Sequence, residues 1–510
     1  MKWLNQVADE LTARYGEGGI VVSSGVSPSG KYHLGTLREI LTAEAIAREL
    51  RRRGQTAKHI HVVDDFDVFR KVPQDVPDEF DRHLGKPLCD IPAPDGSQRS
   101  YADYFVADLS LVADKLKIDM EIWRAHAQYR SGFYTPAIER ALERAEDIKG
   151  ILTEVSGHKL DEGWSPVQIM EDGYLKNRAF KSIDTTAKQI IYEDQHGQKQ
   201  TISYADGQVK LNWRIDWPAR WWLLGVQAEP FGRDHATKGG SYETGEVIVQ
   251  DIFSASAPLP LPYSFINRTG ETKKMSKSAG NVVTAVGLLD IMPPEIIWYF
   301  ILRFPPSKQL FFDEGLTLIK LFDDFARLSA KADKTNAEQQ LIDLCLEGIE
   351  RPTISQMPFS LLATSYQASL KDADTTLDII KRTEYKTAAE TQGDTIRREL
   401  EFIDNWLNNY APTEVKFDLL SQVSAEKFND QERAWLKQLA ARIEQAAADA
   451  GGDWFHAQIY ELKQQSELDP KSMFVTLYRL LIGQDHGPRA GWFLAALPRD
   501  WLIKRLKLQG

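Results

Sequence analysis

The chain has 510 residues, 43% of them hydrophobic and 26% charged, with a formal net charge of -11, enough length for about three to four domains of roughly 100–200 residues each. The acid excess excludes indiscriminate nucleic-acid binding but leaves room for local basic patches. Two cysteines, Cys89 and Cys345, cannot build a zinc cluster of four thiolates, and they fit a reducing cytosol. No run of about 18 apolar residues and no charged-then-apolar leader is read, so neither a membrane nor a secretory destination is expected.

Residues Met1 to Gly19 read as an amphipathic helix leading into an apolar run at Val21-Val22 that ends in small residues. That run reads as a parallel strand whose carboxyl end opens the loop from Gly25 to Thr36, and Leu37 to Arg53 reads as the following helix. In an open α/β sheet this junction is where a nucleotide lies. Gly25, Ser27, Ser29 and Gly30 let the backbone approach a ligand. His33 and Gly35 fall at the first helical turn, where free N–H groups and the helix dipole favour phosphate. Gly35 is expected to leave a flat patch for a base or ribose.

Thr56 to Asp64 reads as a second strand, with Asp64, Asp65 and Asp67 at its carboxyl edge, either as a polar loop or as ribose or amino-acid recognition. Pro73 to Pro94 reads as a long irregular loop. Tyr101 to Leu116 is expected as helix, Asp119 to Trp123 as strand and Tyr134 to Lys149 as helix, an alternation that marks an α/β fold. Lys188-Gln189-Ile190-Ile191-Tyr192 and Gln200-Thr201-Ile202-Ser203-Tyr204, joined through Gln195-His196-Gly197, read as a β-hairpin inside an insertion. A tryptophan-dense stretch from Trp213 to Trp222 follows, then a glycine-rich turn from Glu229 to Ser241 and a helix to about Phe253. Leu261 to Ile266 reads as the last sheet strand, and a mobile loop with small residues hangs from its end. Pro293-Pro294 begins a helix through Ile301, and from about Gly315 the periodicity is helical, giving a bundle of about 160 residues. Arg48, Arg51, Arg52, Arg53 and Lys58, and Lys504, Arg505 and Lys507, read as solvated helix faces.

Two segments far apart in the chain carry the chemistry. Pro28-Ser29-Gly30-Lys31-Tyr32-His33-Leu34-Gly35-Thr36 and Lys274-Met275-Ser276-Lys277-Ser278 resemble the HIGH and KMSKS signatures of class I aminoacyl-tRNA synthetases, in the correct order and bracketing a long insertion. Thr36 stands where the second histidine of the first signature is usual. In the glutamate and glutamine branch an arginine stands where this chain has Ser23; in glutamate enzymes it pairs with the substrate carboxylate, so an acidic side chain would lose its bidentate partner here. The stretches Trp213 to Trp221, Pro230 to Ala236 and Gly239 to Tyr242 closely resemble the class I lysyl-tRNA synthetases, and the likeness covers nearly the whole chain.

That resemblance implies a Rossmann-type parallel sheet with an inserted connective domain and an all-α C-terminal bundle. It implies halves of the catalytic domain at 1–85 and 216–285, the remaining strands and insert at 86–215, a helical stem-contact region at 286–350 and an anticodon-binding region at 351–510. It implies ATP-dependent attachment of lysine to tRNA(Lys) through lysyl-adenylate in the cytoplasm. His33, Lys274 and Lys277 would be catalytic, with Pro28, Gly30, His33, Gly35, Thr36, Lys274, Ser276 and Lys277 on ATP, and Lys277 the strongest of these. Gly25, Ser27, Trp213, His235 and Tyr263 would line the lysine pocket. Asp216 joins them by charge, as the acid that neutralises the substrate ammonium while aromatic faces hold it. Magnesium is implied on the triphosphate, whereas the zinc that relatives often carry in the insert is not expected, since Ile151 to Trp213 holds no cysteine. The rival readings are a glutamyl-type enzyme and a catalytically silent, synthetase-like tRNA-binding protein. Oligomeric state stays open.

Overall fold

The structure is a computed structural model that describes residues 1–16, 18–157, 159–161, 163–270, 283–447, 450–463 and 468–509. It divides into two compact units, one of Met1–Leu289 with Trp298–Phe311 and one of Asp290–Ile297 with Phe312–Gly510.

The first unit begins with α1 (Lys2–Tyr15), β1 (Ile20–Val26), α2 (Leu34–Arg52) and β2 (Ala57–Val63). Next come α3 (Tyr101–Lys115), β3 (Met120–Arg124), α4 (Ala125–Arg130), α5 (Thr135–Glu143) and α6 (Ala145–Ser156). The expected single helix over Tyr134 to Lys149 is two, because Arg144 leaves helical geometry at φ -109, ψ 26. The apolar spacing runs on across that break because Ala141 and Leu142 before it, and Ile148 and Leu152 after it, enter one core. The insertion supplies β4 (Val167–Glu171), β5 (Tyr174–Asn177), β6 (Phe180–Asp184), β7 (Gln189–Glu193), β8 (Lys199–Ser203) and β9 (Val209–Leu211). The expected hairpin is β7 with β8, in register at Ile190↔Ile202. It carries β6 as a third strand, while β5, β4 and β9 form a second antiparallel sheet. The chain then returns through α7 (Trp213–Leu224), β10 (Val226–Gly232), α8 (Ser241–Asp251) and β11 (Leu259–Tyr263).

The central sheet has the order β11-β10-β1-β2-β3, with every neighbouring pair parallel. Its three inner strands, β10, β1 and β2, are buried along most of their length, as the middle of a parallel sheet requires, whereas the edge strand β11 alternates buried and exposed residues. The order changes direction between β1 and β10, and all five strands point the same way. The loops after Val26, Val63, Gly232 and Tyr263 therefore meet along one edge, where open α/β sheets bind ligands. The region from Pro73 to Pro94 is not a slack loop: Phe69, Val76, Phe80, Leu88 and Ile91 pack with Tyr101 and Phe105 in a small core of their own.

The arginine-rich end of α2 is not a solvated face throughout. Arg48 is 2% exposed, donates to Glu44 at 3.1 Å and to the Lys117 carbonyl, and lies 4.3 Å over the Trp298 ring. Its burial follows from a helix apolar on almost every side, which leaves polar side chains to find partners inside.

The second unit is helical, with helices Leu316–Ala330, Asn336–Leu346, Phe359–Ala368, Gly393–Asn409, Asp430–Glu444 and Pro470–Ile482 among those described. Its larger core gathers Trp435, Leu439, Met473, Leu477, Phe493 and Leu502. Arg505, expected on a surface, is 3% exposed and donates to the Leu420 carbonyl at 2.6 Å. Among the described residues no helix is long and apolar enough to cross a membrane.

Candidate active site

The signature segment folds as a fixed turn rather than a loose glycine loop. Ser29 N–H donates to the Ser27 carbonyl at 2.8 Å around buried Pro28, and the Tyr101 hydroxyl donates to the Ser29 carbonyl at 3.0 Å. Gly30 is buried behind it. His33 is the N-cap of α2: its Nδ1 accepts from Gly35 N–H at 3.0 Å and Thr36 N–H at 3.3 Å. Thr36 Oγ1 accepts from His33 N–H at 2.8 Å and donates to its carbonyl at 2.7 Å, completing a capping box. Because Nδ1 accepts, the neutral ring carries its proton on Nε2, which makes that nitrogen a donor.

Two expectations change here. Leu34 N–H is held by the Val283 carbonyl at 3.2 Å, and the next two N–H groups by His33. The helix start thus offers a phosphate its dipole and the imidazole, not a row of free N–H groups. Nor does Gly35 leave a flat patch. A Cβ there would come within 2.8 Å of His33 Cε1, so the glycine exists to let the ring fold over it.

The chain that follows the second signature returns to the first. Residues 271–282 lie outside the described residues, so Lys274, Ser276 and Lys277 cannot be placed. The chain resumes at Val283 on Leu34, Thr284 forms a β-bridge with His33, and Ala285 N–H donates to the Tyr32 carbonyl at 2.8 Å.

On the β10 side two of the expected pocket residues, Gly25 and Tyr263, come together around one that sequence reasoning missed. Gly25 N–H donates to Glu39 Oε1 at 2.8 Å, and the Tyr263 hydroxyl donates to Glu39 Oε2 at 2.7 Å. Gly25 itself is tight against β2, where a Cβ would meet the Val62 carbonyl at 3.2 Å. Desolvation, reinforced by the charges of Glu229 and Asp234, pushes the Glu39 carboxyl up to about 8. No cation pairs with it among the described residues. Arg233 N–H donates to the Tyr263 carbonyl at 3.0 Å, tying the loop that carries His235 to the end of β11.

Trp213, 36% exposed, stacks on Trp217 at 5.3 Å, and the His235 ring lies 5.9 Å from Trp213 and 5.5 Å from Trp217. Beneath them, buried Glu229 accepts from the indoles of Trp217 at 3.1 Å and Trp221 at 2.5 Å. Burial raises its carboxyl above the usual range even though those indoles and the Ser23 side chain bond to it.

Asp216 does not join this pocket. It is fully buried in the first turn of α7, accepting from Lys210 at 2.8 Å, Arg220 at 2.6 Å and the Tyr129 hydroxyl at 3.2 Å. Arg220 also holds Asp64 at 2.6 Å. Burial alone would raise Asp64, but Lys210 and Arg220 hold it well below the ordinary value. With its charge already balanced, Asp216 has no oxygen left for a substrate ammonium. The other acids of that edge are likewise engaged: Asp65 with Arg124 at 2.5 Å and His126 at 2.6 Å, and Asp67 with Arg70 at 2.7 Å.

A second arrangement looks like a nucleophile relay. Ser24 Oγ lies 2.8 Å from His59 Nε2, whose Nδ1 is 3.0 Å from Glu44. All three residues are at most 1% exposed, so no substrate reaches the hydroxyl; the relay ties β1, β2 and α2 together behind the site.

Comparison with known proteins agrees with this geometry. The profile described as "tRNA synthetases class I (K)" matches residues 1–347. The chain is similar to lysine–tRNA ligase 1 of Methanosarcina acetivorans, 34% identical over an alignment covering 99% of this chain and 98% of that protein. It is equally similar, at 34%, to the lysine–tRNA ligases of Archaeoglobus fulgidus, with 99% of both chains covered, and of Thermococcus kodakarensis, with 100% of this chain and 99% of that one covered. A match of this extent, on a parallel sheet whose switch point holds the His33 capping turn, means that the chain belongs to the class I lysyl-tRNA synthetases.

Proposed function

We propose that the chain joins lysine to tRNA(Lys) in the cytoplasm, with ATP as the activating substrate and lysyl-adenylate as the intermediate. The lysine carboxylate, ionised at neutral pH, attacks the α-phosphorus and pyrophosphate leaves. A ribose hydroxyl of the terminal tRNA nucleotide then attacks the carbonyl and AMP leaves. Neither step needs a protein nucleophile; both need alignment and fixed charge. The His33 Nε2–H and the α2 dipole face the triphosphate, with Pro28, Gly30, Gly35 and Thr36 shaping the turn that holds the ring. Lys274 and Lys277, with Ser276, supply the opposing cations. Val283 lies six residues after Lys277, a span of about 20 Å for extended chain. Magnesium travels with the triphosphate.

The observation that carries lysine as the substrate is Glu39. A desolvated carboxyl with two neutral donors and no resident cation is built for an incoming ammonium; Gly25 and Tyr263 hold it, and Ser27, Trp213 and His235 complete the lysine pocket in this reading. The glutamate reading meets an obstacle at the position where that branch carries arginine. Ser23 is 3% exposed and bonds to the acid Glu229, so an acidic substrate would find an acid there instead of a cation. The test is ATP–pyrophosphate exchange in the presence of tRNA with each amino acid in turn: lysine alone is expected to support it, and exchange with glutamate but not lysine overturns the assignment. The same preparation is expected to hold no stoichiometric zinc by elemental analysis, and one tightly held atom per chain would overturn that.

A further inference from the structure

Inside the helical unit, a cavity of about 540 Å³ opens among the helix Phe359–Ala368, the start of the helix Gly452–Lys463 and the helix Ala490–Ala496, within the roughly 300–1,000 Å³ of a small-molecule site. Pro358, Leu361, Ala363, Val415 and Pro488 give it an apolar lining. Tyr385 and Trp492 add two aromatic rings whose centroids lie 6.1 Å apart at 45°. The walls are held from behind. Phe359 N–H donates to Asp323 at 2.6 Å, Gln367 donates to the Val415 carbonyl at 3.3 Å, and the Tyr478 hydroxyl donates to the Pro488 carbonyl. Trp492 lies so close over Gly452 that a Cβ there would come within 2.8 Å of the indole. The cavity is therefore formed before any ligand arrives.

Its charged lining is three carboxylates, Glu384, Glu414 and Asp453, and one guanidinium, Arg489. Glu384 is engaged by the Tyr385 hydroxyl, whose proton is held more tightly through burial and that neighbouring charge. Glu414, Asp453 and Arg489 are exposed, and their side chains have no partner among the described residues. Opposite charges that share one cavity without pairing leave a place for a ligand with the complementary set, two cations and one carboxylate. The acids also argue against a polyanion in this cavity, because a nucleic-acid strand would bring its phosphates against them.

We propose that this cavity binds a free basic α-amino acid, at a site separate from the catalytic unit. Arg489 takes the carboxylate through charge-assisted hydrogen bonds. Glu414 and Asp453 take the α- and side-chain ammonium groups, while Tyr385 and Trp492 cover the aliphatic stem and add cation–π attraction. A linear diamine leaves Arg489 unmatched, and a neutral or acidic amino acid leaves a free carboxylate unmatched. The inference goes beyond the functional reading above and does not depend on it: the ligand is bound and released unchanged, in a unit that holds none of the reacting groups.

The experiment follows labelled L-lysine by equilibrium dialysis against the full chain, without ATP or tRNA, for wild type, Arg489→Gln, Glu414→Gln and Glu39→Gln, each first checked for a melting temperature no lower than that of wild type. Arg489→Gln and Glu414→Gln are each expected to weaken one lysine site roughly tenfold, as loss of one charge-assisted contact does, and to do so equally in a chain that also carries Glu39→Gln. Unlabelled 1,5-diaminopentane, which has no carboxylate, is expected to compete for that site roughly tenfold less well than lysine in wild type, and as well as lysine in Arg489→Gln. Lysine binding that neither Arg489→Gln nor Glu414→Gln changes overturns the inference. So does a short single-stranded RNA whose affinity falls in Arg489→Gln while that of lysine does not, which assigns the cavity to nucleic acid. A chain that binds lysine here but charges none to tRNA would overturn the functional reading and leave this site standing.

Discussion

Glu39 and Asp216 are both carboxylates inside the catalytic unit, yet their surroundings assign them opposite work. Asp216 is closed in with Lys210 and Arg220, two cations that balance it and Asp64 within the protein. Glu39 has only the Gly25 N–H and the Tyr263 hydroxyl, so its charged form lacks a counterion until something brings one. A buried carboxylate that already owns its cation is architecture; one that does not is a binding site for a cation. Charge in the sequence cannot distinguish them, because the difference lies in what each meets in space.

The sharpest way to break this contrast is to neutralise each acid. Asp216→Asn leaves Lys210 and Arg220 facing Asp64 alone, and breaking a buried pair in this way costs about 3–5 kcal/mol of stability. Denaturant unfolding is expected to show that loss while the lysine KM of the folded protein holds. Glu39→Gln is expected to do the reverse. It removes the partner of a buried ammonium at a cost of about 2–5 kcal/mol in lysine binding, read as a rise in lysine KM in pyrophosphate exchange, with stability equal or improved. If Asp216→Asn proved the variant with the raised lysine KM, the two roles assigned here would have to be exchanged.

Lys277→Ala tests the part of the site whose geometry lies outside the described residues. Loss of one transition-state donor costs about 2.7–4 kcal/mol, so adenylate formation is expected to slow by roughly 10²–10³-fold while tRNA binding changes little. Equal losses in both would remove Lys277 from the chemistry.

These residues also show how far the sequence alone reaches. Four of the five sheet strands and the β7/β8 hairpin were legible because apolar runs and turn residues are local signals, and the carboxyl-edge placement of Gly25, Ser27, His33 and Tyr263 followed from them; β10 (Val226–Gly232) was not, because its end at Glu229-Pro230-Phe231-Gly232 reads as the start of a glycine-rich turn. Asp216 was misread although its surroundings left a trace: Arg220 follows at i+4 on the same helix, the spacing of an internal ion pair. Glu39 was missed because the hydroxyl that defines its role comes from a residue 224 positions away. Even so, α2 gave a hint: with Leu34, Leu37, Ile40, Leu41, Ala43, Ala45 and Ile46 spread around it it lacks a polar face, so its charged residues had to point inward.

Glu39 further predicts how the contrast depends on pH. Its carboxyl is raised to about 8, so at neutral pH the empty site is mostly protonated, and lysine binding must release that proton. Lysine KM is therefore expected to fall by up to about tenfold per pH unit on approach to that value and to flatten above it. The same raised carboxyl binds a proton the unfolded chain has lost, so its contribution to stability is present at acid pH and declines as pH rises from the ordinary carboxylate range towards about 8. Glu39→Gln is expected to abolish both slopes.

The smallest effect expected is at Thr36, and it separates a contact with ATP from support of the residue that makes one. Its hydroxyl is already committed to the backbone N–H and carbonyl of His33, so it has no lone role at the triphosphate. Thr36→Ala is expected to cost about 0.5–2 kcal/mol of stability, as loss of a capping hydroxyl does, and to lower kcat for adenylate formation by freeing the imidazole to leave its position over Gly35. Thr36→Ser keeps the oxygen and is expected to restore both quantities. Were Thr36 instead a direct ligand of ATP, Thr36→Ala would raise the ATP KM without moving the melting temperature, and the capping box would not be what holds His33 in place.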